Sequence, residues 1–130
     1  MIGKKIVLLV DDEPDIHDLF EIAVAKYGKN IVVENATSGE NGIKKYEELK
    51  RCGMKPHLVL MDIKMHGMDG IEATKYILRM DGGANILALT AFEDDESAKE
   101  MTKAGAQGII KKSENIKDII KKISEKLDKI

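Results

Sequence analysis

Four short apolar runs in the chain stop on a residue able to do chemistry. IVLLV, residues 6–10, stops on Asp11 and Asp12. LVLM, 58–61, stops on Asp62; ILAL, 86–89, on Thr90; and GII, 108–110, on Lys111 and Lys112. Together they offer carboxylates, a hydroxyl and an ammonium. If neighbouring strands carry these runs, the strands lie about 4.8 Å apart and the carboxylates crowd. Two like charges about 5 Å apart, at an effective dielectric near 20, repel by roughly 3 kcal/mol. Three such pairs would cost a large share of a domain's net stability of about 5–15 kcal/mol. Raised carboxyl pKa values are one relief. A divalent cation and a lysine ammonium are a better one at neutral pH. An all-oxygen ligand set favours Mg²⁺ or Mn²⁺ over zinc. An anion that also binds metal completes the set, and a phosphoryl group fits. Metal and lysine neutralise its charge while the hydroxyl donates a hydrogen bond. A carboxylate can attack phosphorus to give an acyl phosphate.

These residues need elements that bring them to one place. Short continuous apolar runs are the signature of strands buried on both faces. Ile31 to Val33, followed by Glu34 and Asn35, suits an edge strand, and Gly108 to Lys111 is a weaker fifth strand. Helical patterns lie between them. Ile16, Leu19, Phe20, Ala23, Val24 and Tyr27 form an apolar face after Pro14, and Gly28 closes it. Ser38 opens a second helix with Ile43, Tyr46 and Leu49 as its stripe. Asp69 and Gly70 lead into a third, carrying Ile71, Thr74, Ile77 and Leu78; Asp81, Gly82 and Gly83 break it. A fourth, near 95–104, turns only Ala98, Met101 and Ala104 inward and is expected to be held least firmly. Ser113 is expected to cap the last helix, with Ile116, Ile119, Ile120, Ile123 and Leu127 as its stripe. Strands alternating with helices predict an α/β fold with a parallel sheet covered on both faces. In such a sheet the C-terminal strand ends share one edge, where ligands bind.

Composition sets the remaining bounds. The chain has 130 residues, a size for one domain, with 43% apolar residues to fill a core and a net charge of −2. That balance gives no basic footprint for nucleic acid. No apolar run reaches membrane length, and IVLLV is too short for a signal segment, so the cytoplasm is the expected compartment. The single cysteine, Cys52, is expected to pack as a small hydrophobe. His17, His57 and His66 show no zinc-ligand spacing. The chain stops where the fifth helix stops, so one domain over residues 1–130 without an output domain is expected.

Each polar residue also has a plainer explanation. Asp11-Asp12-Glu13-Pro14 suits a helix N-terminus that favours acids. Asp62 suits a turn, Thr90 a strand end, and Lys111-Lys112 a solvated pair. His66 reads as an exposed loop residue, and the methionines at 61, 65 and 68 as packing. For all these explanations to hold at one edge of one sheet is an improbable coincidence.

Four motifs in order, IVLLVDDEP, LVLMDIKMHGMDG, ILALTA and GAQGIIKK, carry a resemblance over essentially the whole chain. The sequence resembles the receiver domain of two-component response regulators, the family that includes the chemotaxis protein CheY. The resemblance implies a flavodoxin-like (βα)5 doubly wound sheet of order 2-1-3-4-5. It implies Asp62 as phosphoacceptor and Asp11, Asp12 and Asp62 as the metal-binding acids, with the backbone carbonyl of Lys64 as a further ligand of Mg²⁺ or Mn²⁺. Thr90 is similar to the switch hydroxyl, and Lys112 to the family's lysine, with Lys111 the runner-up. Adjacent strand residues point to opposite faces, so only one of the two reaches the site. The family usually has proline where His66 and Ser113 stand, which makes a cis bond before Ser113 less expected. It often has an aromatic switch residue where Ile109 stands, so Thr90 and the fourth helix would have to carry any switch. Lys64 and Phe92 fall where members tune water's access to the acyl phosphate, and a bulky Phe92 is expected to slow hydrolysis.

The implied partners are a sensor histidine kinase or phosphotransfer protein and a downstream protein target. The chain is expected to be a monomer or a weak, phosphorylation-dependent dimer, free of direct nucleic-acid or membrane contact. It is expected to be a stand-alone signalling domain rather than an enzyme with turnover. Three other functions compete. An aspartate-dependent phosphatase of the haloacid-dehalogenase type wants a second acid where Lys64 stands. A flavin-binding flavodoxin wants hydroxyls and N–H groups in the first loop, where Asp-Asp-Glu repels phosphate. A degenerate receiver acting only as a binding module would have no need of the intact acids, hydroxyl and lysine.

Overall fold

A computed structural model describes residues 3–91 and 95–130. Strands β1 (Lys5–Val10), β2 (Ile31–Ala36), β3 (Leu58–Asp62), β4 (Ile86–Thr90) and β5 (Ile109–Lys111) alternate with helices α1 (Pro14–Tyr27), α2 (Gly39–Arg51), α3 (Gly70–Met80), α4 (Asp95–Ala104) and α5 (Ile116–Asp128). The strands form one parallel sheet in the order β2-β1-β3-β4-β5. The expected α/β architecture and strand order are both observed. Phe92 lies outside the described residues.

The central strands are apolar throughout because each has two covered faces. Val7, Leu9, Leu58, Leu60, Leu87 and Leu89 pack with Phe20 and Ala23 of α1 and Ile119, Ile120, Ile123 and Leu127 of α5. The alternate residues Leu8, Val10, Val59, Met61, Ile86 and Ala88 pack with Tyr46 of α2, Ala73 and Ile77 of α3, and Met101 of α4. Each large side chain so buried contributes about 1.5–3 kcal/mol. β2 is an edge strand and runs on through Glu34 and Asn35. Among the described residues no strand neighbours its outer side, so polar residues are tolerated there.

Caps place the helices. Pro14 opens α1, the Ser38 hydroxyl accepts from the Asn41 N–H at 3.0 Å, and the Asp69 carboxylate accepts from the Glu72 N–H at 2.9 Å. Gly70 is required where α3 meets the end of β3, because a Cβ there would stand 2.0 Å from the carbonyl oxygen of Asp62. Gly105, at φ +123°, turns the chain after α4 and lies against Leu78.

Three local expectations are corrected. Asn115 caps α5 in place of Ser113, its side chain accepting from the Lys117 N–H at 2.9 Å. The chain turns first, through the Glu114 N–H to the Lys111 carbonyl at 3.1 Å, so the helix starts later. On α1, Leu19 is 42% and Tyr27 37% exposed. Only the narrower stripe of Ile16, Phe20, Ala23 and Val24 reaches the sheet cluster. Tyr27 instead lies against the ammonium groups of Lys26 and Lys117. Cys52 is exposed at the C-cap of α2, beyond Leu49, the last inward residue of that helix. α4 is held as thinly as its pattern predicts: Met101 is fully buried and Ala98 and Ala104 half-buried.

Candidate functional site

Strand parity decides which polar residues meet. Asp62 continues the alternation of Leu58 and Leu60, and Asp11 that of Val7 and Leu9, so both emerge on the side covered by α1 and α5. Lys112 shares parity with Ile110, which packs on that same side, while Lys111 shares it with Ile109, which packs on the other. The observed contacts agree. Lys112 Nζ lies 2.7 Å from Asp11 Oδ2, 3.1 Å from Glu13 Oε1 and 3.5 Å from Asp62 Oδ1. Lys111 is exposed and donates its backbone N–H to Glu114 Oε2. Thr90 ends β4 beside this cluster, and its carbonyl accepts from the Lys112 N–H at 2.7 Å. No peptide bond among the described residues is cis, so the bond before Ser113 is trans.

The three aspartates converge. Asp11, Asp12 and Asp62 each offer an oxygen, and these lie within 4.8 Å of one another. Asp11 is fully buried and Asp62 only 3% exposed. Asp11 Oδ1 accepts from the Glu13 N–H at 2.9 Å. Asp62 Oδ2 is buried with no hydrogen-bond partner among the described residues. A buried, unpartnered anionic oxygen is costly, and a cation seated among the three carboxylates relieves it. All-oxygen donors fit Mg²⁺ or Mn²⁺. Lys64, Asp12, Glu13, Met65 and His66 line a groove of about 370 Å³ at this edge.

The electrostatics follow from this crowding. Burial, and next the charge of Asp11, push the Asp62 carboxyl up to about 7 against the pull of Lys112. For Lys112, burial disfavours the ammonium, but the contacts with Asp11 and Asp62 outweigh it and raise its pKa. Asp12 is held below the usual carboxylate range, first by the backbone N–H of His66.

Three residues belong to this site that the sequence alone did not assign to it. Glu13 pairs with Lys112. His17 lies with Nε2 2.7 Å from the Asp11 carbonyl and Nδ1 2.6 Å from Asn35 Oδ1. Helical side chains lean toward the helix N-terminus, so a histidine on the first turn of α1 faces back over the loop that carries Asp11. His66, read as a loop residue, places Nδ1 2.8 Å and its backbone N–H 2.9 Å from Asp12 Oδ2. A larger cavity of about 620 Å³ lies at the opposite sheet edge. The groups there have other employment: His57 Nδ1 accepts from the Ile6 N–H, and Lys55 pairs with Asp81.

Comparison with known proteins is consistent in family and fold. The profile of the response regulator receiver domain matches residues 7–124. The chain is 39% identical over 124 residues to the chemotaxis protein CheY of Halobacterium salinarum, covering 95% of this chain and 97% of that one. Its structure is similar to a CheY-like receiver domain from Methanospirillum hungatei, with TM-score 0.84, 30% identity, and coverage of 97% of this chain and 95% of that one. It is also similar, with TM-score 0.80, 25% identity, and coverage of 93% and 87%, to a chain in the CheX–CheY–BeF3–Mg²⁺ complex from Borrelia burgdorferi. The chain spans about half the length of other curated relatives it matches. No helix among the described residues is long and apolar enough to cross a membrane.

Proposed function

The chain belongs to the response regulator receiver family, and on that footing we propose that it is a phosphorylation-driven switch whose acceptor is Asp62. The observation that carries this reading is the Lys112 ammonium set between Asp11 and Asp62, beside an Asp62 oxygen with no hydrogen-bond partner among the described residues. A carboxylate oxygen of Asp62 attacks the phosphorus of a phosphohistidine on a kinase or phosphotransfer protein. The P–N bond breaks, its electron pair stays on the imidazole nitrogen, and an acyl phosphate forms on Asp62. Lys112 compensates the added negative charge, and the Thr90 hydroxyl donates to the phosphoryl oxygens. Asp11, Asp12, Asp62 and the Lys64 carbonyl would hold Mg²⁺ or Mn²⁺, which when bound neutralises charge on the transferring group.

The readout proceeds from Thr90 through the weakly anchored α4 toward the face built by α4, β5 and α5. The outward partner is a protein, and the setting is the cytoplasm. The Borrelia complex, in which CheY is found with CheX, BeF3 and Mg²⁺, supports both a metal and a protein partner for this fold. Nothing in the charge balance favours direct nucleic-acid binding, and the domain acts as an acceptor with no turnover of other phosphate esters.

The test is incubation with acetyl phosphate and Mg²⁺ followed by intact-mass spectrometry. The wild type gains one phosphoryl group and Asp62→Asn gains none. A wild type that gains nothing, or an undiminished gain in Asp62→Asn, rejects the reading. Steady release of p-nitrophenol from p-nitrophenyl phosphate would favour a phosphatase instead.

A further inference from the structure

The loop between β3 and α3 reaches back to the first acidic loop through one residue. His66 is exposed, yet its ring Nδ1 and its backbone N–H both meet the same oxygen, Asp12 Oδ2, at 2.8 and 2.9 Å. The two residues are 54 positions apart in sequence. Asp12 itself is only partly buried, unlike Asp11 and Asp62. It is therefore the pocket acid with the most freedom to lose on binding a cation.

We propose that His66 is a positioning residue for the cation: its ring and backbone N–H groups clamp Asp12 Oδ2 and leave Oδ1 as the ligand atom. This rests on the reading of Asp11, Asp12 and Asp62 as the metal-binding acids. A clamp on one oxygen sacrifices no ligand, because Mg²⁺ is small and keeps several waters, needing only one oxygen from such a carboxylate. Hydrogen bonds to ligating groups fix their orientation, and their loss typically lowers metal affinity about 10–100-fold. Here the backbone N–H remains in a side-chain variant, so the lower end applies. A proline at this position would supply neither donor.

The experiment is calorimetric titration of the unphosphorylated protein with Mg²⁺, at one pH above the imidazole range, for wild type, His66→Ala, His66→Asn and His66→Pro. His66→Ala weakens Mg²⁺ binding by about 10-fold. His66→Asn, whose amide can still donate, recovers most of the loss, and His66→Pro is at least as weak as His66→Ala. The melting temperature of the metal-free protein stays the same in His66→Ala, since the ring is exposed. Affinity in His66→Ala within twofold of wild type, or tighter, overturns the inference and leaves the site reading standing. No Mg²⁺ binding by the wild type overturns both. A loss seen with Ni²⁺ or Zn²⁺ and absent with Mg²⁺ makes the ring a direct ligand and also overturns it.

Discussion

Lys112 Nζ stands 2.7 Å from Asp11 Oδ2 and 3.5 Å from Asp62 Oδ1, so the ammonium is held nearer the fully buried acid than the proposed acceptor. Asp62 Oδ2 has no hydrogen-bond partner among the described residues, and the one ammonium of Lys112 faces the carboxylates of Asp11, Glu13 and Asp62. The stability of the metal-free protein should report this directly.

Lys112→Ala removes the cation facing three carboxylates. Its side chain is only 9% exposed, and loss of one partner from a buried charge group costs about 3–5 kcal/mol. Urea unfolding in the presence of a chelator at pH 8 is expected to show a loss of that order. The loss should shrink at pH 5, where carboxyl protonation relieves the repulsion.

Asp62 supplies a pH dependence with a definite sign. Its folded pKa is raised to about 7, above the ordinary value of about 3.9 for an unfolded chain. The folded state therefore binds this proton more tightly than the unfolded state. The resulting stabilisation is full below about pH 4, declines as pH rises through about 7 and is absent above that. A chelated wild type should lose this contribution between about pH 4 and 7, Asp62→Asn should lack the same slope, and Mg²⁺ should flatten it in the wild type. Equal slopes for wild type and Asp62→Asn would contradict the assignment.

A second pair behaves oppositely. Asp81 accepts from the buried Tyr46 hydroxyl at 2.7 Å and pairs with Lys55 at 2.6 Å. These contacts, Lys55 foremost, lower its pKa to about 2. Its contribution is present above about pH 4 and fades as pH falls through about 2. Asp81→Ala leaves the Tyr46 hydroxyl buried without its acceptor and is expected to cost about 1–3 kcal/mol at neutral pH. Thermal or urea melts of the variant across pH 2–7 check both the size and the window.

Met101 is the fully buried anchor of α4, and the Thr74 hydroxyl donates to its sulfur at 3.7 Å. Met101→Ala should cost about 2–5 kcal/mol. Hydrogen exchange should show protection lost first in α4. Uniform loss across all helices would mean that α4 is not a separately releasable element.

The alternation of strands with helices, the covered sheet and the polar residue closing each central strand were legible in the chain alone. A strand buried on both faces must be apolar at consecutive positions, whatever its neighbours are, so IVLLV, LVLM and ILAL declare themselves. The restriction to one of Lys111 and Lys112 was legible too, through the two-residue period. The family resemblance already favoured Lys112, but the physical reason for that choice needed the fold, because only the packing of Ile110 against the α1 and α5 cluster says which face holds the acids. The margins of α1, the exposure of Cys52 and the later start of α5 also waited on three dimensions, since periodicity marks a face but not its width or its ends. The contacts of Glu13 with Lys112 and of His66 with Asp12 span 99 and 54 residues. No local pattern encodes such pairs; they exist because parallel strands deliver distant loops to one edge, where charge and hydrogen bonding then select the partners.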